Sequence, residues 1–224
     1  FSISVSGKFN ENDLIICNKS LINLKKLSFE RRIEELQKIL MHDKIKDIKI
    51  FTKLHPLLIN TLECNLKFEN FVKLCKLETQ IDDESFHRRL KFLMRSIGGL
   101  TPLIKKKASK KLKNRLMKKI SITEYSLKTL NHMLFYHEKI HVIDKLLFDY
   151  IDELILKKDF YKYLKVITLF KKKKFPLTGE DLKSIGFKSG EKLGITLDKI
   201  TNWWIMSDFK ENKKSCMKYA QKLL

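Results

Sequence analysis

Apolar residues recur along most of the chain at intervals of three and four positions, the spacing of an amphipathic helix. The alternation of apolar and polar residues that is typical of a β-strand occurs only in residues 1–5. Seven glycines and three prolines in 224 residues leave few places for irregular structure. The pattern therefore predicts an all-α fold.

Capping signals and apolar stripes indicate where the individual helices lie. Ser28 precedes an apolar stripe that begins at Ile33, so we expect Ser28 to be the N-cap of a helix. Ser121 and Glu124 have the spacing of a capping box, which predicts a helix that begins there. Further helices are expected near residues 11–25, 44–53, 57–65, 68–78, 83–97 and 102–119, and two more are marked by the stretch from His137 to Leu154 and by that from Phe160 to Phe170.

The last 50 residues predict two helices joined by a short turn. Thr178 and Asp181 form a capping box for the first helix, and Gly186 is placed to end it in a left-handed conformation. The second helix is expected after residues 187–190. An uncapped helix N-terminus beside lysines is a favourable phosphate site, although an ordinary helical hairpin explains the pattern equally well. The candidate contacts here are Gly186, Lys188, Gly190 and Lys192.

Basic residues outnumber acidic ones by 47 to 26, which gives a formal net charge of +21. The excess is uneven, because residues 98–123 contain no acid. The basic residues of this stretch are Lys105, Lys106, Lys107, Lys110, Lys111, Lys113, Arg115, Lys118 and Lys119. Such a run repels itself unless an anion neutralises it, so it favours nucleic-acid contact over a merely solubilising patch. A second basic run occupies residues 171–174.

The residues His137-Glu138-x-x-His141 have the spacing by which zinc metalloproteases place two ligands and a general base on one helix. The apolar stripe of the predicted helix consists of Ile140, Ile143, Leu147, Ile151 and Leu154. Glu138 lies opposite that stripe and faces solvent, whereas a water-activating glutamate needs a cleft. No third ligand follows at a suitable spacing. We therefore expect no zinc, and a zinc hydrolase is the rejected alternative.

Other chemical signals in the chain are weak. Cys17, Cys64, Cys75 and Cys216 are scattered, which predicts buried, reduced thiols rather than a disulfide framework or a metal site. Acids at residues 82–84 resemble a metal-binding cluster, but a helix N-terminus is the better interpretation. No signal peptide and no apolar run of membrane-spanning length are found, so no membrane contact and a cytoplasmic location are expected.

Two segments resemble one family. The stretch FPLTGEDLKSIGFKSGEKLGITLDKITNWW at residues 175–204 resembles the tail of bacterial class II tRNA nucleotidyltransferases, the CCA-adding enzymes, and of their poly(A) polymerase relatives. Ser189 stands where the family usually has proline. The stretch LINLKKLSFERRIEELQKILM at residues 21–41 resembles the segment that follows the family's catalytic head. Weaker likeness extends through ISITEYSLKTL and VIDKLLFDYIDE.

The resemblance implies a tRNA-binding region without the catalytic head. The family's head holds two Mg²⁺ ions with an Asp-x-Asp motif, which occurs nowhere in this sequence, so neither catalytic residues nor a cofactor is expected in this chain. Glu30, Arg31 and Arg32 match the neck helix that supports the nucleotide pocket. The implied segments are the head–neck junction at 1–27, the neck and RNA-binding part at 28–100, the basic body at 101–174 and the tail at 175–224.

Several interpretations of the missing head stay open. The chain is a truncated form or gene remnant, an independent RNA-binding module, or a subunit of a split nucleotidyltransferase that acts with a separate head chain. The split enzyme predicts an exposed apolar patch at Phe1, Ile3, Val5 and Phe9. A DNA-binding hairpin protein is a further alternative. The sequence leaves open whether the family activity is CCA, A-only or poly(A) addition.

Overall fold

A computed structural model describes residues 15–16, 19–64, 68 and 70–224. The described residues form twelve α-helices and three short 3₁₀ helices, with no strand among them, which confirms the all-α prediction. The strand predicted at residues 1–5 and the apolar patch at Phe1, Ile3, Val5 and Phe9 lie outside the described residues, as does Cys17. Of the helix expected at 11–25, the described part ends in a 3₁₀ helix at Leu21–Lys26.

The chain divides into two compact units, Phe1–Lys118 and Lys119–Leu224. This boundary falls within the segment 101–174, and the four-part division stays a prediction. The helices of the first unit are α1 Phe29–Met41, α2 Ile48–Leu62, α3 Phe71–Gln80, α4 Phe86–Met94, α5 Pro102–Lys107 and α6 Lys110–Met117. The helices of the second unit are α7 Leu127–Tyr136, α8 Lys139–Ile151, α9 Lys157–Leu169, α10 Gly179–Lys183, α11 Glu191–Met206 and α12 Lys213–Gln221. The other two 3₁₀ helices are Asp43–Lys46 and Arg95–Ile97.

Helix α1 begins where its sequence signal indicates. The Ser28 hydroxyl accepts a hydrogen bond from the Arg31 amide at 3.2 Å, which confirms the predicted N-cap. Leu36 and Leu40 are fully buried, whereas Ile33 is only half-buried. The core of the first unit continues through α2 and α3, where the rings of Phe51 and Phe71 stack with centroids 4.8 Å apart.

The two helices predicted at 44–53 and 57–65 are a single α-helix, α2, preceded by a 3₁₀ turn. Asp47 caps α2 by accepting from the Lys49 amide at 2.8 Å, and Pro56 lies inside the helix. A proline there removes one helical hydrogen bond. The helix continues because Leu54, Leu58 and other apolar residues on both sides of Pro56 are buried on one side of it.

The helix predicted at 102–119 is divided into α5 and α6. Ala108 has an extended conformation, and the Ser109 hydroxyl caps α6 by accepting from the Leu112 amide at 3.2 Å. The sequence periodicity did not reveal this break because the lysines on both sides of it favour helix equally. Ile104, Ala108 and Leu116 are all buried. Each of the two short helices therefore still has one apolar side that faces the core.

The capping box predicted at Ser121 and Glu124 is wrong, because α7 begins only at Leu127. The Ser126 hydroxyl caps the helix by accepting from the Thr129 amide at 3.1 Å. Tyr125 is held outside the helix, since its hydroxyl donates to Asp149 Oδ2 at 2.7 Å and its ring stacks on that of Tyr163 at 5.4 Å. Burial and the hydrogen bond to Asp149 raise the pKa of Tyr125.

A buried ion network joins α3 and α4 and was not anticipated from the sequence. Arg88 Nη1 donates to Glu78 Oε1 at 3.0 Å and Arg89 Nε donates to Glu78 Oε2 at 2.6 Å, with all three side chains fully buried. Arg89 Nη1 also donates to the Leu40 carbonyl at 2.5 Å. Glu78 therefore bridges the two buried guanidiniums between α3 and α4, and Arg89 links them to α1 through the Leu40 carbonyl.

Two of the acids at residues 82–84, Asp83 and Glu84, belong to the same network and precede the N-cap of α4. Helix α4 begins after its N-cap Ser85 and has no acid in its first turn. Asp83 accepts from Arg88 Nη2 at 2.9 Å, and Glu84 lies 3.3 Å from Arg89 Nη2. The helix expected from residue 83 thus begins three residues later, and Asp83 and Glu84 pair with Arg88 and Arg89 of that helix instead of lying within it.

An aromatic cluster forms the centre of the second unit. Trp204 makes edge contacts with Phe135 at 5.8 Å, Phe175 at 5.3 Å and Phe209 at 4.9 Å between ring centroids. Its indole N–H donates to the Glu211 carbonyl at 2.9 Å. The buried residues around this cluster are Leu177, Leu182, Ile200, Ile205, Cys216 and Ala220. We call Phe135, Phe175, Trp204 and Phe209 the aromatic cluster.

The C-terminal hairpin has the predicted structure. Asp181 Oδ2 accepts from the Thr178 amide at 2.8 Å and the Asp181 amide donates to Thr178 Oγ1 at 3.3 Å, which completes the capping box. Gly186 and Gly190 have φ values of 111° and 132°, a region that disfavours side chains. Helix α11 follows at Glu191 and buries Ile200 and Trp204, as its periodicity predicts.

We expect Asp181 to stabilise the second unit at neutral pH and to lose this effect in acid. The ion pair from Lys213 at 2.6 Å and the hydrogen bonds from Thr178 hold the pKa of Asp181 at about 2, below its usual value of 3.8. A lowered pKa stabilises the folded state above the unfolded-state pKa, and this contribution disappears as the pH falls from about 4 to about 2. The thermal midpoint of the wild type should therefore converge on that of Asp181→Asn over this range.

Tryptophan fluorescence can follow this transition, because Trp203 and Trp204 both belong to the second unit. Asparagine retains an oxygen that can accept from the Thr178 amide, so the variant removes mainly the charge. A difference in thermal midpoint that stays constant between pH 6 and pH 2 would show that Asp181 does not carry this pH dependence.

Candidate nucleic-acid interface

The acid-free run of the sequence becomes a surface on α5, α6 and the residues that follow them. Lys105, Lys106 and Lys107 occupy the last turn of α5, and Lys110 and Lys111 occupy the first turn of α6. These five side chains are exposed, as are Lys118 and Lys119, whereas Lys113 and Arg115 are half-buried. We call residues 105–119 the basic segment.

The inward side of the basic segment fixes its position in the first unit. Ile104 and Leu116 are buried, and α6 packs against α4. The Thr101 hydroxyl caps α5 by accepting from the Ile104 amide at 3.3 Å. Six of the eight lysines are therefore carried on two short capped helices rather than on a loose tail, which lowers the conformational entropy lost when they bind a partner.

The lysines of the basic segment have no carboxylate counterions among the described residues. Within the described residues, none of its eight lysines makes an ion pair with a carboxylate. Lysines elsewhere are paired, such as Lys46 with Glu84 at 2.9 Å and Lys213 with Asp181 at 2.6 Å. Neighbouring unpaired charges raise the local positive potential, and a polyanion is the partner that lowers it most effectively.

The second predicted contact, the hairpin of the C-terminal region, belongs to the other compact unit. Lys188 and Lys192 are exposed, and Gly190 precedes α11 without a side-chain cap. Glu191 occupies the first turn of α11 and places a negative charge at the same helix end. This carboxylate opposes phosphate binding there, so the hairpin is the weaker of the two candidate contacts.

The matched residues of the family's neck helix lie in the first turn of α1. Glu30 is exposed, and Arg31 pairs with Glu35 at 2.8 Å. Arg32 is buried and donates to Glu63 Oε1 at 2.8 Å and to the Asn60 and Thr61 carbonyls at 3.2 and 2.5 Å. Arg32 thus caps the C-terminus of α2. A supporting role for these residues toward a nucleotide stays a prediction.

An open cleft lies beside these α2 residues and is lined by Lys25, Ile59, Asn60, Glu63 and Cys64. Cys64 is half-buried, so the prediction of buried thiols is wrong for this residue. Cys75 and Cys216 are buried and reduced, as predicted, and burial raises the pKa of Cys75 to about 12. Cys64 differs because it follows the end of α2, where the chain leaves the core.

His137, Glu138 and His141 do not share one helix. His137 follows the end of α7 with an extended backbone, and α8 begins only at Lys139. His141 is buried. Glu138, the residue before α8, is exposed, as the sequence predicts. Leu154 is 71% exposed and lies beyond the end of α8 at Ile151, so its assignment to the apolar stripe is wrong.

This break between α7 and α8 removes the geometry that the zinc metalloprotease spacing requires, namely two imidazoles one turn apart on one helix. In the described part of the chain, no three His, Cys, Asp or Glu side chains are grouped so that they could hold a metal ion. Among the same residues, no helix combines the length and the apolar character needed to cross a bilayer.

No protein-family model matches this chain, and no curated protein matches it.

Proposed function

We propose that this chain is the RNA-binding helical region of a CCA-adding tRNA nucleotidyltransferase or a related poly(A) polymerase, and that it contributes to tRNA 3′-end processing without adding nucleotides alone. The proposal combines the family resemblance of residues 21–41 and 175–204 with the surface of the basic segment. A cytoplasmic location accompanies the proposal. The Mg²⁺ ions and the nucleotide would belong to a head that these residues do not provide.

The observation that carries the proposal is the basic segment itself. Nine basic side chains lie within fifteen residues without an acid, and seven of them are exposed on a packed scaffold. This arrangement is electrostatically unfavourable in the free protein, and it becomes favourable when phosphates release their counterions to solvent. A surface whose only purpose is solubility normally mixes both signs of charge.

The mode of binding follows from the residue types. Lysine contacts phosphate as a point charge, and phosphate contacts carry no sequence information. Several lysines on packed helices suit the backbone of a folded RNA, which proteins recognise mainly by shape and by phosphate and ribose contacts. We therefore expect the basic segment to bind tRNA through its backbone, with affinity that falls steeply as the salt concentration rises.

Charge reversal of the basic segment tests the proposal. Lys106→Glu, Lys110→Glu and Lys111→Glu together should weaken tRNA binding by on the order of tenfold to a hundredfold, because each removes one phosphate contact and adds a repulsion. The matched control reverses Lys49, Lys157 and Lys158, which are exposed and lie in the first turns of α2 and α9. Both variants change the net charge equally.

Fluorescence anisotropy with labelled tRNA gives the two affinities, and far-UV circular dichroism verifies that both variants keep their helices. Acids near a helix N-terminus are well tolerated, so Lys110, Lys111 and the three control positions should not disturb folding. If the two variants lost the same amount of affinity for tRNA, the whole positive surface would attract RNA without a preferred site. The proposal would then be abandoned.

A further inference from the structure

We propose that the loop between α9 and α10 is a second RNA-backbone contact, held in place by the aromatic cluster. The loop contains Lys171, Lys172, Lys173 and Lys174, which we call the lysine loop. Its ligand class is the phosphate backbone of RNA, and the inference rests on the function proposed above. The loop belongs to the second unit, whereas all of the basic segment except Lys119 belongs to the first.

Aromatic residues anchor both ends of the lysine loop. Phe170, directly before the loop, contacts the Phe209 ring with centroids 5.9 Å apart. Phe175, directly after it, contacts Trp204 at 5.3 Å. Trp204 and Phe209 themselves pack at 4.9 Å. Both ends of the loop are therefore fixed to one group of rings. This limits how far the four lysines between them can move apart.

The four lysines are exposed and have no internal neutralisation. None of them makes an ion pair with a carboxylate among the described residues. Asp208, the acid next to Phe209, accepts from Asn131 Nδ2 at 3.0 Å and lies 3.9 Å from Lys210 Nζ. Asp208, the acid adjacent to the anchoring ring of Phe209, thus already contacts Asn131 and Lys210.

The anchors distinguish this loop from a merely solubilising run of charge. Four adjacent ammonium groups repel one another, and a free loop would relax by separating them. Contact of the half-buried Phe170 and Phe175 rings with Phe209 and Trp204 opposes that relaxation and keeps the charges close together. A preorganised cluster of cations loses less conformational entropy on binding, which favours a polyanion with closely spaced charges.

Replacement of the four loop lysines by glutamine tests the inference. The quadruple variant should bind labelled tRNA about tenfold more weakly, and the slope of log affinity against log salt should decrease by roughly 0.7–0.9 for each phosphate that the loop no longer binds. Arginine at the same four positions retains the charge and should restore binding. The matched control places glutamine at Lys157, Lys158, Lys214 and Lys218, which are exposed on the same unit.

The design separates failure of this inference from failure of the proposed function. If the unmodified chain binds tRNA and reversal of Lys106, Lys110 and Lys111 weakens that binding, the proposed function stands. A glutamine loop variant that then binds like the unmodified chain, or no worse than its control, overturns the inference alone. When the loop variant is combined with the reversed basic segment, log affinity should depend on log salt less steeply than in either variant alone. The reason is that the two surfaces bind different phosphates.

Discussion

Glu78→Ala should lower the free energy of unfolding by about 3–5 kcal/mol, because it leaves two buried guanidiniums without their shared carboxylate. Arg88 and Arg89 are fully buried, and each donates to a different oxygen of Glu78 at 3.0 and 2.6 Å. Arg88 keeps Asp83, and Arg89 keeps Glu84 and the Leu40 carbonyl, but both remaining carboxylates are partly exposed and do not replace the buried negative charge of Glu78. Alanine favours the helix, so loss of helix propensity does not contribute.

Urea unfolding followed by far-UV circular dichroism measures this effect. The control is Glu34→Ala, which removes an exposed carboxylate that lies 3.6 Å from Arg31. The control should change the free energy of unfolding by no more than about 0.5 kcal/mol. If Glu78→Ala proved as mild as this control, Glu78 would not be the carboxylate that neutralises the two arginines.

Trp204→Ala should also lower the free energy of unfolding by about 3–5 kcal/mol, since it removes the central ring of the aromatic cluster. Trp204 is 4% exposed and contacts the rings of Phe135, Phe175 and Phe209. The substitution leaves a large cavity, and it also leaves the Glu211 carbonyl without the indole N–H.

The adjacent Trp203 supplies the control for this prediction. Trp203 is half-buried and stacks on Tyr219 with centroids 4.4 Å apart, so Trp203→Ala should cost only about 1–2 kcal/mol. Both variants retain one tryptophan, and urea unfolding by circular dichroism compares them directly. Equal losses for the two variants would contradict the central position of Trp204. Release of the rings should also loosen Phe175, which anchors the lysine loop.

The extent to which sequence predicted the fold depends on the range of the interactions. The C-terminal hairpin was predicted closely, because Thr178, Asp181 and Gly186 determine its capping and its turn through contacts within a few residues. The apolar stripe and N-cap of α1 are equally local. Such signals survive in a single sequence because no other part of the chain is needed to interpret them.

Features that depend on distant contacts were missed. The helix predicted at Ser121 fails because Tyr125 is held by Asp149, 24 positions away. The continuity of α2 through Pro56 depends on burial of both sides of the helix, which periodicity alone does not report. The pairing of Glu78 with Arg88 and Arg89 joins two helices, and no local pattern of charges predicts it.

The candidate site shows the same division. Composition revealed the basic segment, since nine basic residues within fifteen, inside a longer acid-free stretch, are visible without a structure. The break at Ser109, which places Lys105–Lys107 and Lys110–Lys111 on different helices, became clear only from the backbone. The anchoring of residues 171–174 by Phe170 and Phe175 required the positions of Trp204 and Phe209, which lie some 30 residues further on.

The most direct test of the RNA-binding proposal is the affinity of the chain for labelled tRNA across a salt series, with duplex DNA of equal length as competitor. We expect tight binding at low salt and a steep negative slope, with a loss of about a thousandfold or more between 50 and 200 mM salt if six or more phosphates are contacted. We also expect duplex DNA to compete poorly, because its shape differs from that of folded RNA. Absence of binding, or equal competition by DNA, would contradict the account.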